Sequence, residues 1–491
     1  MLLVTVDCLR ADHVGFMGYG CPTTPFLDSL AKESCVVPTA IVAGAPTYYS
    51  LPAIVASRFP LALGRDVLGI APGEPTLATV LQRTGYATAC FNAANPYISA
   101  RFGYEQGFDR FRDFMEGDAA ASSAAEGDSN GNGWASRLNK SLQKIRPAMG
   151  PIGRVYDDLY FEYCQRVTPV PDSIDALRRF PSADVIVDHA LEWLSSIGDA
   201  PFFLWLHFMD PHSPYYPKES AFLSFSNGPI TPRRARYLNS YWNRSDIKTR
   251  RLGKFREEIV ALYDAGICWV DEQLGRLTAS LGLSNRWQDC VFALTADHGE
   301  EFLDHEGRYH PPSQLKEELI HVPLLLRIPE SQTIQQKKSP FSLIHLAPTL
   351  LDALGESTPD EFQGRSQLTR LRSAQDFDSP AISECVQGCT NPFRPENRKG
   401  LRVLSVRDSR YKLVMGFREA AEELYDLESD PGEHIPLPLD AERAVRRRLL
   451  EVAREHLRRS TEQRNDRLRV RALLREHRLE WPISLERVQE P

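Results

Sequence analysis

The sequence predicts an α/β protein built on a doubly wound, mostly parallel sheet, followed by a small antiparallel subdomain and a helical tail. Three observations carry that prediction. Apolar runs of strand length stop abruptly at polar residues: Leu2-Leu3-Val4-Thr5-Val6 before Asp7, Phe202-Phe203-Leu204-Trp205-Leu206 before His207, and Val291-Phe292-Ala293-Leu294-Thr295-Ala296 before Asp297. Helical patterns alternate with these runs, which is the βαβα rhythm of a parallel sheet. Between Ile382 and Leu427, short strand-like runs instead follow one another, as in an antiparallel sheet.

The elements can be justified in chain order. After Asp7 come Arg10-Ala11-Asp12-His13 and a glycine-rich turn through Gly15, Gly18 and Gly20. Thr24-Pro25 opens a helix, because a first-turn proline needs no N–H. Val36 to Val42 reads as a strand, and Ser50 to Ser57 as a helix with Pro52 in its first turn. Leu77 to Thr84 is an amphipathic helix ended by Gly85, and Tyr86 to Phe91 is the next strand. Residues 115–139 are rich in Ala, Ser, Gly and Asp and read as a flexible insertion. Order returns with a helix from Ser182 to Ile197 and the strand that ends at His207. Residues 227–251 form a second, polar and basic insertion before a long amphipathic helix, Glu257 to Leu281. Past the Asp297 strand, a helix covers Leu343 to Leu354, and Ala441 to Glu480 is an Arg-rich helical tail, read as a solvated face packed on the body. The expected units are therefore residues 1–375, 376–440 and 441–491.

Composition narrows the class. The chain has 491 residues, 42% hydrophobic and 25% charged, as in soluble globular proteins. A net charge of -7 argues against a nucleic-acid partner. No apolar stretch is long enough to span a membrane. The first apolar run has no basic leader and turns polar at Asp7, so no signal peptide is expected and a cytoplasmic setting is. Met1 sits almost inside the first strand, which leaves room for a start codon slightly upstream. Nine scattered cysteines without a Cys-x-x-Cys pair read as reduced thiols. Nothing in the sequence specifies an oligomer.

The strand ends carry the chemistry. In an open parallel sheet the carboxyl ends of the strands line the ligand crevice. Asp7, Asp297 and His298 would bring two carboxylates and an imidazole there, a set that suits one divalent metal. Mixed oxygen and nitrogen donors favour Mn or Zn, with Ca and Mg also open. A metal beside a hydroxyl nucleophile describes a hydrolase of small anionic esters.

These motifs, taken in order, resemble the sulfatase family within the alkaline-phosphatase-like superfamily over residues 1–435. Val6-Asp7-Cys8-Leu9-Arg10-Ala11-Asp12-His13 matches the family's opening segment, and Trp205-Leu206-His207-Phe208-Met209-Asp210-Pro211-His212 is similar to its central histidine motif. Thr295-Ala296-Asp297-His298-Gly299-Glu300 resembles its second metal motif, and Glu423-Leu424-Tyr425-Asp426-Leu427 its C-terminal one. Sulfatases oxidise a cysteine or serine in a Cys/Ser-x-Pro-x-Arg motif to formylglycine. Counting back from Arg58-Phe59-Pro60 places that position on Thr47, with Tyr49 for the proline and Leu51 for the arginine. Formylglycine is therefore not expected, and Thr47 itself becomes the nucleophile; Ser50 is a weaker rival.

The resemblance also implies roles for the other polar residues. His207 would contact the anionic group, supported by His212 or Asp210. His310 would protonate the leaving group, with His305 and Lys316 as weaker candidates. Arg10 would orient Asp7 or bind the anion, or simply pack on its strand end. Cys8 stands where many sulfatases carry a second aspartate, which implies a sparer, one-metal site. The expected function is hydrolysis of sulfate or phosphate esters through a covalent Thr47 intermediate. The alternatives are a transferase of phospho-head groups and a degenerate member that binds an anion or glycan without turnover.

Overall fold

The computed structural model describes residues 1–115, 150–225, 228–312, 314–329, 339–373, 375–377, 380–417, 422–462 and 465–476. Its centre is a seven-stranded sheet in the order Cys35–Val36, Leu324–Arg327, Phe292–Ala296, Leu2–Val6, Phe202–Phe208, Ala87–Asn92, Arg110–Arg112. The Leu2–Val6 strand lies between Phe202–Phe208 and Phe292–Ala296 and runs parallel to both. Leu324–Arg327 runs antiparallel to both of its neighbours. Every residue of Leu2–Val6 and Phe202–Phe208 is buried, which is why these strands read as nearly unbroken apolar runs.

Register is what positions the site. Val6 pairs with Phe208 on one side and Ala296 on the other. Asp7 and Asp297 each follow their strand by one residue, so they emerge side by side at the same sheet edge. His207 pairs with Thr5 on one side and Asn92 on the other. The Ala183–Ser196 helix covers the Ala87–Asn92 and Phe202–Phe208 strands and packs against the long Arg256–Leu283 helix. The Thr47–Ala56 helix packs against Leu77–Arg83 and Leu346–Ala353, and all of its residues are buried.

Several elements differ from the sequence expectation. The segment Val36 to Val42 is not one strand: Cys35–Val36 joins the main sheet and Ala40–Ile41 a separate three-stranded one. Pro38 lies between them and has no N–H to give a ladder. The helix expected from Ser50 starts at Thr47, so Pro52 falls in its interior, where it removes the bond that would close on the Tyr48 carbonyl. The polar insertion at 227–251 contains a packed helix, Pro232–Trp242, with Leu238, Tyr241 and Trp242 buried. Its Asn239 is buried too and brackets the Tyr215 backbone, accepting from the N–H at 2.7 Å and donating to the carbonyl at 2.9 Å. The helix Gly150–Val167 was not anticipated. Of the first insertion, residues 116–139 lie outside the described residues.

The C-terminal antiparallel sheet has four strands: Ala381–Val386, Arg402–Arg407, Tyr411–Gly416 and Glu422–Asp426. The tail forms two helices that pack on the body. Leu449 and Ala453 of Arg443–Glu462 join Leu404, Val406, Leu413 and Leu424 of this sheet. Leu468 and Ala472 of Asp466–Glu476 pack on Leu63, Val67 and Ala71. Among the described residues, no helix is long and apolar enough to cross a membrane.

Candidate active site

Asp7, Asp297 and His298 meet at the carboxyl edge of the sheet, all fully buried, with one donor atom of each within 4.8 Å of the others. His298 Nε2 stands 3.7 Å from Asp7 Oδ1 and 3.6 Å from Asp297 Oδ2. The His298 Nδ1–H donates to the Gly299 carbonyl at 2.8 Å, which turns the Nε2 lone pair towards the cluster. Asp297 Oδ1 accepts the backbone N–H of His298 at 2.9 Å, while Oδ2 has no hydrogen-bond partner. A buried carboxylate oxygen with nothing to satisfy it fits a metal ligand. Gly299 allows this turn its tight path, since a Cβ there would lie 1.9 Å from the Glu318 carbonyl oxygen.

Thr47 reaches the same cluster from the start of its helix. Its Oγ1 lies 3.2 Å from His298 Nε2. The neighbouring Ser50 hydroxyl donates to the Thr47 carbonyl at 3.1 Å, a bond within its own helix. Cys8 follows Asp7 in a left-handed conformation, with φ of 62°, and its thiol lies 3.0 Å from Asp7 Oδ1. It also comes within 3.5 Å of His310 Nδ1.

The charges of the two aspartates are set in opposite directions. Burial works to raise Asp7, but the imidazoles of His212, His207 and His298 outweigh it and hold the carboxyl well below its ordinary range. Burial and then the adjacent Asp7 charge push Asp297 up, against the opposing pull of His298 and His207. A divalent cation between them would reverse the effect of that like-charge pairing.

The remaining candidates divide into those the fold brings to the cluster and those it does not. His212 is half-buried at the mouth, close enough to Asp7 and Cys8 to share a ligand. Its ring centre lies 5.2 Å from that of His310, which in turn lies 4.6 Å from that of His298. His207, expected on the substrate's anion, is fully buried beneath Asp7. Its Nδ1 bonds Thr5 Oγ1 at 2.8 Å, which holds the ring, and its Nε2 faces Asp7 Oδ2 at 3.3 Å, so the side chain positions the aspartate. Asp210 also points elsewhere, pairing with Arg178 at 2.5 Å and accepting the Ala183 N–H at 3.3 Å. The Arg10 guanidinium is taken by Asp12 at 2.7 Å and Asp304 at 2.9 Å, so it braces the strand end. His305 pairs with Glu318, and Lys316 donates to the Tyr425 hydroxyl at 2.9 Å; neither faces Thr47.

Two residues of the cluster were given no role from the sequence. Asn95 is buried and donates to Asp7 Oδ2 at 2.7 Å. It follows the Ala87–Asn92 strand, so the strand-end rule that singled out Asp7 points to it as well. Glu300 is fully buried, neither of its carboxylate oxygens is hydrogen bonded, and His310 Nδ1 stands 3.5 Å from Oε1.

Comparison with known proteins agrees with this architecture. A family model described as Sulfatase matches residues 1–356, and one described as N-sulphoglucosamine sulphohydrolase, C-terminal, matches residues 306–458. The chain belongs to the sulfatase family, a class of sulfatase-like ester hydrolases. An arylsulfatase of Clostridium perfringens (strain 13 / Type A) is 23% identical over 470 residues, 88% of this chain and 89% of that protein. Arylsulfatase K of Mus musculus is 28% identical over 216 residues; the match spans 38% of this chain and only 37% of that relative. The phosphonate monoester hydrolase of Agrobacterium radiobacter shares the fold, with a TM-score of 0.66 at 20% identity, covering 94% of this chain and 95% of that one.

Proposed function

We propose that this chain is a metal-dependent hydrolase of sulfate or phosphate esters that works through a covalent adduct on Thr47. The observation that carries the proposal is the placement of the Thr47 hydroxyl, 3.2 Å from His298 Nε2 and beside two buried aspartates. Asp7, Asp297 and His298 would hold the cation. When bound, a divalent cation supplies positive charge that favours the alkoxide of Thr47 and offsets charge on the ester oxygens. Thr47 stands at the start of its helix, and a helix N-terminus favours negative charge nearby.

Thr47 Oγ1, its proton released to solvent as the alkoxide forms, makes a bond to sulfur or phosphorus as the bond to the leaving oxygen breaks. His310, at the cluster mouth, donates a proton to that oxygen, and His212 binds the ester's anionic oxygens. Asn95 and His207 keep Asp7 oriented throughout. Water then cleaves the threonyl ester, releases the acid and restores Thr47. Threonine cannot become formylglycine, so elimination of sulfate from an aldehyde hydrate is closed to this chain and hydrolysis must finish the cycle. Phosphate and phosphonate esters therefore fit the site at least as well as sulfate esters.

Assays of chelated protein on nitrophenyl phosphate, a nitrophenyl phosphodiester and nitrophenyl sulfate, with Mn, Zn, Ca or Mg restored singly, test this. The proposal expects turnover of at least one ester that depends on the added metal. No turnover, together with no copurifying metal, would instead make the chain an anion-binding protein.

A further inference from the structure

A second group of donors lies on the far side of the loop that carries the active-site residues. Glu301, His305 and Glu318 each place one donor atom within 4.8 Å of the others. Glu301 is fully buried. Its Oε1 accepts the backbone N–H groups of His305 at 2.9 Å and Gly307 at 2.7 Å, so the side chain is locked in place. Its Oε2 is buried and has no hydrogen-bond partner. Gly307 keeps space around that oxygen, because a Cβ there would lie 2.3 Å from Oε2. A buried, immobilised and unsatisfied carboxylate oxygen costs free energy unless a ligand meets it.

His305 is oriented for the same purpose. Its Nε2 faces the Glu433 carbonyl at 3.4 Å, and its Nδ1 lies 2.7 Å from Glu318 Oε1. With Nε2–H donating to the Glu433 carbonyl, Nδ1 is the nitrogen that meets Glu318 and that, once its shared proton is lost, can ligate a cation, the arrangement by which proteins orient a metal-bound imidazole. The ordinary alternative is a His305–Glu318 ion pair, and that pair satisfies two of the three side chains. It leaves Glu301 Oε2 without a partner.

We propose that Glu301, His305 and Glu318 bind a structural divalent cation of the zinc or manganese type, distinct from the one at Asp7, Asp297 and His298. Two carboxylate oxygens and one imidazole nitrogen suit that class of metal. On binding, any proton shared between His305 Nδ1 and Glu318 leaves to solvent and the lone pair goes to the metal. The site joins the turn after His298, which also carries Glu300 and His310, to the Glu317–Ile320 helix, and through the Glu433 carbonyl to the C-terminal segment. It would fix the position of His310 relative to Thr47 without touching substrate.

The test is zinc stoichiometry of the full chain after equilibrium dialysis and elemental analysis. The intact protein should hold two equivalents, Asp297→Asn one, and the double variants Asp297→Asn/Glu301→Gln and Asp297→Asn/His305→Gln none. Zinc should raise the melting temperature of Asp297→Asn and leave that of the double variants unchanged, a readout independent of catalysis. Far-UV circular dichroism identifies any variant that fails to fold; Glu301→Gln and His305→Gln sit on separate parts of the loop, so one can replace the other. If Asp297→Asn binds no zinc, or binds it equally well after Glu301→Gln and His305→Gln, the proposal is overturned while the Thr47 chemistry stands.

Discussion

Lys412 and Asp297 are both fully buried charged side chains, one in the C-terminal sheet and the other in the crevice. Lys412 Nζ meets Glu317 Oε1 at 3.2 Å and Glu433 Oε1 at 2.9 Å, and Arg407 closes the network on Glu317 at 3.1 Å. Asp297 has a second carboxylate at its side, and one of its oxygens has no hydrogen-bond partner. In the network the protein supplies its own counter-charges. In the crevice it concentrates negative charge and leaves donor atoms open. Burial of unpaired charge is costly, so the contrast separates a structural ion cluster from a site built to take a cation.

Thr47→Ala breaks the comparison on the crevice side and should have the largest effect. Loss of an attacking hydroxyl that works as part of a unit lowers turnover by roughly 10⁴- to 10⁶-fold. Steady-state rates beside unchanged circular dichroism check this. On the network side, Lys412→Met should leave Glu317 and Glu433 buried without their main partner and cost about 3–5 kcal/mol in urea unfolding. Metal content of the folded fraction should be unaffected.

Acid should also tell the regions apart. Burial works to raise Glu384, but Arg402 and His456 outweigh it and hold this carboxyl at about 2, below its ordinary value of 4.5. The folded pKa is depressed, so the stabilisation is complete above pH 4.5 and is lost as pH falls towards 2. It amounts to about 3 kcal/mol, and unfolding curves from pH 6 to pH 2 should show less acid sensitivity in Glu384→Gln than in the unaltered chain. Asn95→Ala should have the smallest effect, removing the 2.7 Å hydrogen bond that orients Asp7. Second-layer changes of this kind weaken metal binding by roughly 10- to 100-fold, measurable by competition with a chelating dye.

The crevice was legible wherever chain position alone decides geometry. Asp7 and Asp297 each end an apolar run, and parallel register makes such ends meet. Thr47 followed from the resemblance to the sulfatase motif, counted back from Arg58-Phe59-Pro60, and the helix start was the detail misplaced, because Pro52 suggested a first turn where the helix is already under way. Cross-strand partners were not legible. Nothing near His207 in the chain shows that Thr5 and Asp7 take its two nitrogens. Likewise Asp210 is claimed by Arg178, and Arg10, besides its neighbour Asp12, by Asp304, which is distant in sequence. Asn95 lies three residues beyond the Ala87–Asn92 strand, and nothing in the segment Asn92-Ala93-Ala94-Asn95-Pro96 shows which of its two asparagines turns to Asp7.

Mass spectrometry of protein quenched during turnover of a phosphate or sulfate ester tests the central claim most directly. The account predicts a peptide containing Thr47 that carries the added phosphoryl or sulfuryl mass, absent from Thr47→Ala. Steady turnover with Thr47 unmodified, or with the added mass on another residue, would contradict it.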